Sequence, residues 1–151
     1  MARCRYRFIN IKNNIFNFQS IITIIRKKNL PVIDIYGNLI GKIIEVGKYN
    51  SKLQLITDNN FSVSIKVGDN ISIGQFNPTY HKFGFLDGII KSLDIEEDDI
   101  VFTSGVSEIY PPDIPVAKIK YEAKKKNKLF QDVGVELLAD IDKLYYVFVI
   151  Q

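Results

Sequence analysis

Apolar and polar positions alternate along much of the chain, most cleanly in Phe61-Ser-Val-Ser-Ile-Lys-Val67, where Phe61, Val63, Ile65 and Val67 fall on one side. Successive side chains of a strand point to opposite faces, so this period of two predicts a half-buried strand. Ala117, Ile119, Tyr121 and Ala123 alternate in the same way against Lys118, Lys120, Glu122 and Lys124. Val133, Val135 and Leu137 do so against Asp132, Gly134 and Glu136. Both runs read as strands with one wet face. Residues 144–150, Leu-Tyr-Tyr-Val-Phe-Val-Ile, are apolar throughout and rich in β-branched and aromatic types, which predicts a central strand covered on both sides.

Turn-forming residues separate these runs at Tyr36-Gly-Asn38, Asp58-Asn-Asn60, Gly68-Asp-Asn70, Asp87-Gly88 and Glu96-Glu-Asp-Asp99. Helix has little room. Residues 13–28 contain the β-branched run Ile21-Ile-Thr-Ile-Ile25, which favours a strand, and residues 136–143 have space for a single turn after Leu138. The expected fold is all-β and mainly antiparallel, arranged as two small barrel-like lobes with little helix. Residues 1–20 stay unassigned, residues 21–151 form the β-domain, and a soft division between the lobes is placed near 76–85.

With 46% hydrophobic residues, a chain of 151 residues can fill a genuine core, which argues against disorder. Twenty basic residues against seventeen acidic ones leave a net charge of +3, too mild an excess to name a partner. Cys4 and His81 are the single cysteine and histidine, so no intramolecular disulfide or paired soft metal ligands are available, and no cofactor is expected. The apolar stretches at 21–25 and 144–150 fall short of the roughly 20 residues that span a bilayer. No apolar export segment follows the basic residues of Met1-Ala-Arg-Cys-Arg-Tyr-Arg7.

Two blocks carry a family resemblance. Gly37-Asn-Leu-Ile-Gly-Lys-Ile-Ile-Glu-Val46, followed by Asn50-Ser-Lys-Leu-Gln-Leu-Ile-Thr-Asp58, resembles the turn glycine and paired strands of the rod shape-determining MreC family. Asp98-Asp-Ile-Val-Phe-Thr-Ser-Gly105 and Ile109-Tyr-Pro-Pro-Asp-Ile-Pro-Val116 resemble that family's Thr-Ser-Gly block and its proline-rich continuation, the more specific signal. Gly37, Gly41, Thr103, Ser104, Gly105, Pro111 and Pro115 are the motif residues, read as structural: a polar, permissive turn, then prolines that fix an extended approach to the next strand. Asp98, Asp113 and Ala117 stand where the family carries glycine. Asp tolerates left-handed geometry, and Ala117 suggests a glycine kept for close packing. The loop between Ile25 and Leu30 is shorter than the family's. The family's N-terminal membrane helix and coiled coil are not found, so the chain reads as a truncated, diverged or excised member.

The resemblance implies a non-enzymatic scaffold of bacterial cell-wall elongation at the periplasmic or extracytoplasmic face of the inner membrane. Its implied partners are a class B penicillin-binding transpeptidase, MreD and other elongation proteins, with self-association possible through the barrels.

Other constellations invite chemistry. His81, an Asp from 94–99 and Ser104 follow the chain order of a chymotrypsin-like triad, but two dozen residues between His81 and Ser104 are too few to pass from one barrel to another, so a turn is preferred. Glu96-Glu-Asp-Asp99 lacks the Asp-x-Asp-x-Asp-Gly spacing that wraps calcium and reads as a solvated turn. Lys118, Lys120, Lys124, Lys125, Lys126 and Lys128, with Tyr121 and Phe130 nearby, form a basic face. It reads as a charged hairpin edge that blocks strand pairing, and alternatively as the contact of a barrel-type nucleic-acid-binding module. Phe76, Tyr80, Phe83 and Phe85 gather four aromatics in a loop-rich stretch, either exposed as a protein contact or buried between the lobes.

Overall fold

The computed structural model describes residues 6–10, 20–21, 27–48, 51–68, 72–123 and 129–151. Their strands are β1 (Tyr6–Asn10), β2 (Ser20–Ile21), β3 (Pro31–Ile33), β4 (Leu39–Val46), β5 (Ser51–Leu55) and β6 (Val63–Val67). They continue with β7 (Ser72–Pro78), β8 (Phe83–Asp87), β9 (Ile100–Thr103), β10 (Pro115–Ala123), β11 (Asp132–Leu137) and β12 (Tyr146–Ile150). One 3₁₀ turn, Ile141–Lys143, supplies the helical turn expected after Leu138. Most of the expected strand at 21–25 and the lysines at 124–128 lie outside the described residues.

The strands form two antiparallel layers. One is a six-stranded sheet in the order β1-β12-β3-β4-β5-β2, and the other a closed barrel in the order β10-β11-β8-β7-β6-β9. The all-β antiparallel expectation holds, with the first lobe an open sheet among the described residues. The chain changes sheet between β5 and β6, so residues 76–85 do not divide the lobes. They form the β7–β8 hairpin within the barrel, pairing Asn77 with Phe85.

Alternation places the core. Phe61, Val63, Ile65 and Val67 are all buried, as are Val133, Val135 and Leu137. They pack with Ile33, Leu39 and Ile150 of the open sheet, so a single cluster joins the two layers. On the other face of that sheet, Val32, Ile40, Ile43, Leu53, Val147 and Val149 form a second cluster. β12 is central, between β1 and β3, but only its end is covered: Val147 and Val149 are buried while Tyr145 and Tyr146 stay exposed.

The periodic reading of β10 fails at one point. Ala117 and Ile119 face inward, whereas Tyr121 is 62% exposed because the register with β11 shifts between Ile119 and Tyr121. An extra residue in one strand turns every later side chain to the opposite face.

Two motif glycines have separate reasons. Gly37 adopts φ +90° in the β3–β4 turn, with open space around it. The Asp34 carboxylate closes that turn, accepting from the Tyr36 N–H (2.8 Å), the Asn38 N–H (2.9 Å) and the Asn38 side-chain amide (2.9 Å). At Gly41, a Cβ would collide with the backbone carbonyl of Gln54 on β5. Gly41→Ala is therefore expected to destabilise by about 1–3 kcal/mol or more through a backbone clash that cannot relax. Gly37→Ala is expected to lose only about 1–2 kcal/mol through left-handed strain. Urea unfolding of both variants tests the order, and a less stable Gly37→Ala would contradict it.

Candidate functional site on the outer face of the barrel

The corner after β9 is built around one buried side chain. Thr103 Oγ1 donates to the Pro111 carbonyl (2.7 Å) and accepts from the Ile114 N–H (2.9 Å). Its backbone N–H donates to the Ile114 carbonyl (2.9 Å), and its carbonyl accepts from the Asp113 N–H (3.1 Å). Thr103 thus satisfies every polar group it brings into the core, as burial requires. Gly105 takes φ +77° against the Pro112 ring, where a Cβ would lie 2.8 Å from a ring carbon. Pro111 and Pro115 hold the chain extended on either side of Asp113, and Pro115 opens β10 opposite Phe102.

Asp98 and Asp113 both adopt φ +70°, the left-handed geometry that glycine would supply. Each carboxylate also finds lysine. Asp113 pairs with Lys66 (2.5 Å), and Asp98 lies 3.4 Å from Lys120 and 3.7 Å from Lys118. Ala117 is fully buried.

Ser104 extends the β6–β9 pairing. Its N–H donates to the Ser64 carbonyl (3.0 Å) and its hydroxyl to Ser64 Oγ (2.9 Å), while it accepts from the Val106 N–H (3.3 Å). His81 lies at the exposed β7–β8 turn with φ +51°, edge-on to Tyr80. The hydroxyl that the triad comparison needed thus serves the corner. The acidic 96–99 stretch closes a turn, with Asp99 Oδ2 accepting from the Glu96 N–H (2.9 Å). Tyr110 is buried edge-on to Phe61, and desolvation pushes its phenol pKa well above the ordinary value.

Three of the four aromatics at 76–85 reach the surface. Tyr80, Phe83 (45% exposed) and Phe85 (43%) point outward, whereas Phe76 is wholly buried inside the barrel and is excluded from any contact. Across β11, Gly134 pairs with Phe85 on one side and Tyr121 on the other. The Tyr121 ring occupies the space that a side chain at Gly134 would take. Leu129 and Phe130, both exposed, follow at the end of the groove, held by the Ile90–Phe130 bridge and by the Gln131 side chain donating to the Ile90 and Leu93 carbonyls (3.2 Å each). A groove of about 830 Å³ results, walled by Phe83, Phe85, Tyr121, Leu129 and Phe130.

Charges border this groove. Glu136 meets Lys82 at 2.5 Å, Lys120 at 3.5 Å and Lys118 at 3.9 Å. Lys118 and Lys120, read above as a basic face, are thus matched by Glu136 and Asp98. The hydrogen bond from Lys82, with the charges of the three lysines, holds the Glu136 carboxyl below the usual glutamate value.

Fold and surface together define a class: an antiparallel β-barrel, backed by a sheet, whose outward face offers an aromatic groove. The family model "Rod shape-determining protein MreC, barrel core" matches residues 22–151. The cell shape-determining protein MreC of Haemophilus influenzae is 33% identical over 121 residues, 80% of this chain and 34% of that protein. This chain therefore spans about a third of that relative's length. The crystal structure of MreC from Pseudomonas aeruginosa superposes with a TM-score of 0.85 at 21% identity, covering 97% of this chain and 99% of the other. MreC from Helicobacter pylori, solved in complex with the penicillin-binding protein PBP2, superposes with a TM-score of 0.77 at 18% identity, covering 99% and 98%. The chain belongs to the MreC family of cell shape-determining proteins.

Thr103→Val would keep the shape and leave the Ile114 N–H and Pro111 carbonyl without their side-chain partner. It is expected to lose about 1–3 kcal/mol, against a smaller loss for half-buried Ser104→Ala. Chemical denaturation of the pair checks the ranking, and equal stability of wild type and Thr103→Val would refute it. Because the folded pKa of Glu136 is lowered, its contribution is present above the unfolded value and disappears as pH falls through the folded one. Glu136→Gln should therefore flatten the acid limb of a stability–pH curve below about pH 4.3. An unchanged limb would count against the pairing.

Proposed function

We propose that this chain is a non-enzymatic scaffold of bacterial cell-wall elongation, working at the periplasmic or extracytoplasmic face of the inner membrane. Its partner in this reading is a class B penicillin-binding transpeptidase. MreD, other elongation proteins and a second copy of the chain are further partners. No described helix is long and apolar enough to cross a bilayer.

One observation carries the reading: the aromatic groove of Phe83, Phe85 and Tyr121, on a family member whose relative from Helicobacter pylori was solved with a penicillin-binding protein. Aromatic side chains held rigid on strands supply contact area with little entropy to lose, and such residues dominate binding energy at interfaces. Tyr80 lies beside this face at the β7–β8 turn. The scaffold acts by holding its partner in place, and no step needs a bond to form or break.

Binding of the purified extracytoplasmic part of a class B penicillin-binding transpeptidase tests this. Phe83→Ala and Tyr121→Ala are each expected to weaken binding by about 30-fold, the size of a loss of about 2 kcal/mol at an interface anchor. Wild-type affinity in both variants, with unchanged melting, would remove the groove from the contact. Absence of binding by the wild-type chain would remove the partner.

A further inference from the structure

A second depression, of about 510 Å³, adjoins the aromatic groove at Asp87 and lies between the outer side of β6 and β7 and the 104–110 loop, with Lys42 of β4 in its lining. At one end its polar groups are mainly donors. Ser62 Oγ accepts from the Gln75 side-chain amide, Ser64 Oγ from the Ser104 hydroxyl (2.9 Å), and Ser107 Oγ from the Ile109 N–H (3.2 Å). A serine hydroxyl that already accepts retains its own proton to donate. Half-buried Lys42 makes no ion pair among the described residues. Tyr110, 3% exposed, also lines the depression, but its hydroxyl is closed off from solvent and takes no part in the cleft.

Three serine hydroxyl protons and the Lys42 ammonium, unpaired among the described residues, attract an anion, and a carboxylate accepts several such bonds at once. The opposite end of the cleft has the opposite sign. Register places Ser64 beside Gln75 and Gln75 beside Asp87, so the Asp87 carboxylate lies two strands, roughly 10 Å, from Ser64. Three extended residues span roughly the same length. We propose that this cleft binds the carboxyl-terminal end of a short peptide, with the carboxylate at Lys42, Ser64 and Ser107 and the peptide's amine or N–H groups toward Asp87.

Titration of the ¹⁵N-labelled 151-residue chain with trialanine, its carboxyl-terminal amide and its N-acetyl form tests the proposal in solution. Trialanine should shift the Ser64, Val106 and Ile109 amide signals saturably. N-acetyl-trialanine should bind several-fold more weakly, and the amide should not reach saturation. Lys42→Met should weaken trialanine binding at least tenfold with unchanged melting, while Phe83→Ala leaves it as in wild type. Equal shifts from trialanine and its amide, no shift from trialanine, or wild-type affinity in Lys42→Met would each overturn the proposal.

Discussion

The Thr103 hydroxyl joins two stretches of chain that must otherwise bury unpaired backbone. Between β9 and β10 the chain makes a proline-rich excursion, and prolines carry no N–H with which to pair it. Thr103 supplies what they lack, accepting from Ile114 and donating to Pro111 inside a site sealed from water. With the corner held, β10 starts in register against β9 and the barrel closes through β6. Serine at this position would keep the hydroxyl and lose a methyl group; valine would keep the shape and lose both hydrogen bonds.

Closure has a consequence on the outside. In a closed barrel no strand edge is left to pair with a partner, so recognition falls to side chains on the outer surface. Here those side chains are set by two irregularities in neighbouring strands. The shift after Ile119 turns Tyr121 outward, and Gly134 leaves β11 bare at the position between Tyr121 and Phe85. A strand glycine with a ring laid across it marks close approach, and here it makes the floor of the groove. The cluster of Lys82, Lys118, Lys120, Glu136 and Asp98 borders this apolar strip with charges largely paired to each other, which keeps that border soluble with only a small positive excess.

Much of the interior was legible because alternation survives wherever strands are regular, as in residues 61–67 and 133–137. The turn at Tyr36-Gly-Asn38 followed from its turn-forming residues, and the left-handed Asp98 and Asp113 from the family's glycines at those positions with the tolerance of aspartate for that geometry. Less of the surface could be read. Tyr121 belonged by period to the core, and only the bulge, which leaves no mark in composition, moves it out. Phe76 shared a cluster with Phe83 and Phe85, yet β7 turns Ile73 and Gln75 outward and Phe76 inward, because its inner row is Ser72, Gly74 and Phe76 and apolar character does not track the faces. The 76–85 stretch looked like a boundary since its aromatics and turn residues break the pattern, but a hairpin breaks it equally. Gly134 was the available clue to the groove, an isolated glycine in an otherwise alternating strand.

Hydrogen–deuterium exchange of the chain alone and with a class B penicillin-binding transpeptidase measures where a partner sits. The account predicts added protection confined to β8, the segment at 129–134 and the end of β10 near Tyr121, with the corner at 103–114 unchanged because it is already locked. Protection at the corner or the open sheet, with none along β8 and 129–134, would contradict it.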